Sequence, residues 1–97
     1  MREGSTSGVT VAYKEEGYCL DMEGNDQNTG SHRLKKYPTA QECLESCKIQ
    51  PSATACEYHN NGNCVYHTMP VSGGNDDSDY DCWVFETGNN MLHADGL

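Results

Sequence analysis

The chain has 97 residues, enough for one domain, of which 35% are hydrophobic, and its mean hydropathy is -0.80. A domain of this size buries only about 60–65% of the surface its unfolded chain exposes, so its apolar core is thin, and six cysteines stand ready to compensate. The net charge of -9 excludes nucleic acid and anionic membrane as natural partners, and no apolar run is long enough to span a bilayer.

Residues 1–8 are rich in Gly, Ser and Thr and read as a flexible leader. Residues 1–17 lack the apolar centre of a signal peptide, so the chain reads as a mature form or as a domain excised from a larger protein. Val9-Thr-Val-Ala-Tyr13 alternates and is β-branched, which predicts a strand. Tyr18 to Met22 predicts a second short strand, and 23–31 a polar loop. His32 to Lys36 carries most of the basic charge and reads as an edge strand or extended segment.

The helix signals lie between Thr39 and Ile49. Thr39 follows Pro38 as an N-cap, Glu42 three residues on completes a capping box, and Pro51 ends the run. Ala40, Cys43, Leu44 and Cys47 share one face, with Gln41, Glu45 and Lys48 pointing outward. Ala55 to His59 and Asn63 to His67 then flank Asn60-Asn61-Gly62, which predicts a hairpin with Gly62 in the left-handed position. That register pairs Cys56 with Tyr66 and Tyr58 with Cys64. It puts those four side chains on one face and Glu57, His59, Val65 and His67 on the other, solvated one. Residues 71–81 read as a Gly/Asn/Asp/Ser loop. Cys82 to Phe85 is the last strand, expected in the sheet interior because both its faces are apolar. The segment 87–97 reads as a loose tail, leaving 9–86 as the folded domain.

The even cysteine count favours disulfides, though it leaves the pairing open. Zinc is the rival reading, but the Cys-x2-Cys spacings it usually needs are missing. Two bridges from the helix to the hairpin are open to the inner four cysteines, with the third joining the two ends of the domain.

Taken in order, Cys19, the helix with Cys43-x3-Cys47, Ala-Cys56-x-Tyr58, Gly-x-Cys64-x-Tyr66 and Cys82 in a final strand resemble the PAN/apple domain family over residues from about Val9 to Phe85. The resemblance implies an α+β fold, an antiparallel sheet of about five strands crossed by one helix. It implies the bridges Cys43–Cys64, Cys47–Cys56 and Cys19–Cys82. It also implies a non-catalytic extracellular module, secreted or at the cell surface, that recognises carbohydrate or protein in adhesion, often within a larger multidomain protein. The family has no single binding motif, so no ligand residue carries over.

The residues themselves offer several candidate contacts. Asp76, Asp77, Asp79 and Asp81 lie in one run but lack the calcium-loop pattern of an EF-hand, so a solvated acidic loop is expected and no metal or cofactor. His59 and His67 share a face without being adjacent. Trp83 and Phe85 are expected in the core. Arg33 and Lys35, His59 and Tyr80 are the candidate ligand contacts, with Tyr80 the better exposed aromatic in its loop. Bridged cysteines remove a thiol nucleophile, and no triad or phosphate loop is recognisable, so no catalytic residue is assigned. The reading is a recognition module contacting its ligand through 24–36, 73–81 and the odd-numbered hairpin face. The alternative is a disulfide-stapled structural or assembly domain of a secreted or matrix protein.

Overall fold

The computed structural model describes residues 9–86. The leader and tail expected at 1–8 and 87–97 lie outside the described residues. Local signals set two elements as expected. The helix α1 covers Ala40–Lys48; Thr39 caps it in an extended conformation and its hydroxyl oxygen accepts the Glu42 N–H at 3.2 Å. The hairpin joins β4 (Ala55–His59) to β5 (Cys64–His67), pairing Cys56 with Tyr66 and Tyr58 with Cys64. At its turn the Gly62 N–H donates to the His59 carbonyl, and Gly62 sits at φ +103°, where a side chain is disfavoured.

Five strands build the main antiparallel sheet. β1 (Val11–Glu16) and β3 (Ser31–Arg33) form its edges, and β7 (Tyr80–Phe85) lies inside, giving the order β1-β7-β4-β5-β3. β7 is interior, as its two apolar faces require: Trp83 and Phe85 look to the helix side, while Cys82 and Val84 look to the other, and all four are buried. The fold is thus a small, disulfide-rich α+β domain.

The segment read as a loop at 71–81 is half strand. β6 (Val71–Gly74) pairs with β2 (Cys19–Asp21) as a separate two-stranded ribbon. This ribbon covers part of the sheet face that the sequence pattern left to solvent. A glycine at 74 permits the close approach, because a Cβ there would run into the Glu16 carbonyl, and the Gly74 N–H donates to Glu15 Oε1 at 2.8 Å. The sheet is therefore the middle of three layers. The helix side holds Cys43, Leu44, Cys47, Ala53, Cys56, Cys64, Trp83 and Phe85; the ribbon side holds Cys19, Ala55, Val71, Cys82 and Val84.

The bridges are Cys43–Cys64 and Cys47–Cys56 between helix and hairpin, and Cys19–Cys82 between ribbon and sheet, with no free cysteine. The third bridge thus ties the second strand, not the first, to the last. Their sequence separations of 21, 9 and 63 residues correspond to unfolded-chain restrictions of about 3, about 2.5 and about 4 kcal/mol on the loop-entropy account. Paired Cys→Ser replacement of Cys19 and Cys82 should therefore lower the denaturation midpoint more than replacement of Cys47 and Cys56. Urea unfolding of the two variants checks the order; a larger loss from the Cys47/Cys56 pair would show that burial of the inner sulfurs outweighs loop length.

Candidate functional site

A groove of about 290 Å³ opens where the ribbon and the loop after it meet the odd-numbered face of the hairpin. Tyr18, Cys19, Asp26, Thr29, Ser31, Glu57, Val65, His67 and Tyr80 line it. Its lining draws on the three regions named as contacts above, with Asp26, Thr29 and Ser31 from 24–36, Tyr80 from 73–81 and Glu57, Val65 and His67 from the odd-numbered hairpin face, and also on Tyr18 and Cys19, which the sequence did not suggest as contacts. β4–β7 pairing sets His59 opposite Tyr80, and β3–β5 pairing sets Arg33 opposite Val65 and Ser31 opposite His67.

Glu57 and His67 form its floor. His67 is 2% exposed, not a surface histidine as the alternation suggested, because the ribbon covers this part of the face. Its Nε2 lies 3.0 Å from Glu57 Oε1, which also accepts the Cys19 N–H at 2.9 Å. One carboxylate oxygen therefore couples the hairpin to the ribbon. A neutral His67 must carry its proton on Nε2 to serve that carboxylate, which leaves Nδ1 as a lone-pair site; Nδ1 is buried without a hydrogen-bond partner. Ser31 and Glu57 beside this histidine have the composition of a hydrolytic triad. The proton path is not made, since Nδ1 takes no hydrogen bond from Ser31.

The aromatic wall has a definite shape. Tyr18 and Tyr80 meet edge to face with centroids 5.4 Å apart and planes at 83°, and His59 meets Tyr80 at 4.4 Å and 67°. Tyr80 is half-buried and flanked by rings, better exposed than Trp83 and Phe85, but it heads strand β7 and does not lie in the loop where the sequence put it. Burial, and then the negative charges of Glu57, Asp77 and Asp79 around it, raise the Tyr80 phenol above its usual value.

Of the four candidate contacts, the structure brings His59 and Tyr80 together and leaves Arg33 exposed on the same sheet face. Lys35 is elsewhere: its Nζ lies 5.2 Å from the ring centre of Tyr37, which packs against the helix-side core. Sequence reasoning missed Tyr18 as a site residue, included Glu57 only as part of the odd-numbered hairpin face, and placed His67 on a solvated surface. Only the pairing of β2 with β6 explains their burial, and no local pattern announces it.

The metal readings can be weighed on geometry. In the acidic loop the Asn75 side chain accepts the Asp77 N–H, and the Asp77 side chain accepts the Asp79 N–H, so these groups serve the backbone of the turn. Asp81 lies 3.5 Å from Lys14. Among the described residues, no three carboxylates of that loop come within 4.8 Å of one another. The sulfurs of Cys43, Cys47, Cys56 and Cys64 do cluster within that distance. They rest against the carbonyl oxygens of Glu57, Val65 and Cys43 at 3.5–3.6 Å, surroundings that suit cystine and would repel the thiolates a zinc site needs.

Asp21 organises the loop that forms one bank of the groove. Its Oδ1 accepts the N–H groups of Glu23 and Asn25 at 2.8 and 2.9 Å. The Asn25 N–H is the main reason its carboxyl lies below the usual range; burial opposes this, and the N–H groups of Glu23, Asn28 and Gly24 reinforce it. A depressed folded value stabilises the fold above the unfolded value of about 3.9 and loses that effect as pH falls below it. Melting temperature followed from pH 6 to pH 2 should drop less steeply for Asp21→Asn than for the parent chain; parallel curves would remove Asp21 from this role. No family model, curated protein or solved structure matches the chain.

Proposed function

We propose that the chain is a non-catalytic extracellular recognition module of the PAN/apple kind, which binds carbohydrate or protein through the groove between ribbon and sheet. The observation that carries this reading is the groove itself: a concave, part-aromatic and part-polar surface on a frame stapled by three disulfides. Rigid frames that present such concavities are what ligand sites require. Three disulfides support an oxidising, extracellular setting. The pairing of the six cysteines agrees with the pairing that the family resemblance implies. Among the described residues, no helix is long and apolar enough to cross a membrane. A small groove of this kind gives modest affinity, which several copies in a larger protein would multiply.

The assembly reading draws on a different surface. Met22 and Pro70 help line a second hollow of about 210 Å³, and Met22 and Met69 are exposed at 40% and 49%. A domain that works by self-association would use that patch.

The test is a glycan array run beside a panel of extracellular proteins, with the parent chain, Tyr80→Leu and the helix-face variant Gln41→Ala/Glu45→Ala. Binding should fall about fivefold or more for Tyr80→Leu and stay unchanged for the helix variant, with similar melting temperatures. Loss confined to the helix variant would put the site on the opposite side of the sheet. Absence of any ligand, together with a concentration-dependent dimer disrupted by Met22→Ser, would replace recognition by assembly.

A further inference from the structure

The charged groups on the groove's lining include two carboxylates, and its aromatic part forms a corner, not a platform. Asp26 and Glu57 are the carboxylates on its lining. Glu57 Oε1 is engaged by the Cys19 N–H and His67, whereas Oε2 takes no hydrogen bond from the described residues. The charges of Asp77 and Asp79 also reach the Tyr80 ring, and the whole chain carries -9. Field and lining therefore have the same sign, which concentrates cations at this surface.

The rings point the same way. A sugar ring stacks best on one flat, open aromatic face. Tyr18 and Tyr80 stand instead at 83° to each other, with His59 against Tyr80 at 67°. Perpendicular rings with a carboxylate nearby enclose a compact positive group, which is drawn to the ring faces as well as to the carboxylate. Three of the chain's own lysines are engaged elsewhere: Lys14 with Asp81, Lys48 with Glu45, and Lys35 over Tyr37.

We propose that the groove is a site for one alkylammonium or guanidinium group, presented by a lysine or arginine side chain of a protein partner. This rests on the recognition reading and narrows it to a ligand class. The apolar stem of such a side chain passes Val65 while its head meets Tyr18, Tyr80 and the Glu57 carboxylate. A volume of about 290 Å³ is ample for one such side chain. Arg33, exposed opposite Val65 on the same face, repels the guest and sets the sign of one test: its removal strengthens binding, whereas an acidic ligand would make its removal harmful.

The experiment is a titration of the folded, isotope-labelled chain, read by backbone amide shifts. The probes are Nα-acetyl-lysine methylamide, Nα-acetyl-arginine methylamide, the Nε-acetylated form of the first, methyl glucoside and methyl glucosaminide. Either charged side-chain probe should shift the amides of Tyr18, Glu57 and Tyr80, with a dissociation constant on the order of millimolar. The Nε-acetylated probe should bind at least about tenfold more weakly. Asp26→Asn and Glu57→Gln should each weaken binding about threefold to tenfold, and Arg33→Ala should strengthen it. Asp26 and Arg33 are exposed, so these two variants carry the test even if Glu57→Gln loosens the ribbon. Equal binding of the Nε-acetylated probe, no shift in the groove, or weaker binding after Arg33→Ala overturns the proposal. Tighter binding by either glycoside overturns it while leaving the recognition reading in place; that reading fails separately, if no glycan or protein ligand responds to Tyr80→Leu.

Discussion

The central sheet has two faces to cover and few large apolar side chains to cover them with. Among the described residues the fully buried large apolar side chains are Phe85 and Val84; six of the nine largest fully buried side chains are cysteines. Sulfur therefore fills the space that leucine and isoleucine fill in larger domains. On the helix side the two inner bridges touch, with Cys43 Sγ 3.5 Å from Cys56 Sγ and Cys47 Sγ 3.9 Å from Cys64 Sγ. On the other side a single bridge, Cys19–Cys82, pins the ribbon to the sheet. Covalent attachment matters more on that side, since a two-stranded ribbon alone is marginal in water.

The groove follows from that attachment. Because the ribbon covers only part of the sheet, its border leaves a concavity, and the residues at the border are held from both layers. Glu57 is the clearest case, receiving a hydrogen bond from Cys19 on the ribbon and contacting His67 on the neighbouring strand. A side chain fixed from two sides loses little freedom when a ligand arrives, which favours recognition even when the contact area is small. The acidic turn before β7 and the Asp21 loop then add negative charge and backbone rigidity at the two ends of the groove.

The helix and hairpin were legible in the sequence because their determinants are local. Thr39 and Glu42 mark a cap within four residues, and Asn60-Asn61-Gly62 fixes the register of β4 on β5. The burial of Trp83 and Phe85 was also legible, since a strand apolar on both faces belongs inside a sheet. What the sequence hid is long-range. β6 contains Gly73 and Gly74 and has no alternating pattern, so it read as loop; its strand character comes from pairing with β2 and from the closeness of Glu15 and Glu16. Once that ribbon is missed, Glu57 and His67 read as solvated surface and the groove disappears. Tyr80 and His59 were each legible as candidates, but their ring contact depends on β4–β7 pairing across some twenty residues. Lys35 is not part of the groove's lining; its ammonium lies over the ring of Tyr37 instead.

The most direct measurement is hydrogen exchange, residue by residue, on the chain with Cys19 and Cys82 both replaced by serine. If the outer bridge holds the ribbon on the sheet and so forms the groove, amides of Cys19→Ser, Leu20 and Gly74 should lose protection while those of Glu57 and Val65 keep theirs. Retained protection throughout the ribbon, or a uniform loss across the hairpin as well, would contradict the account.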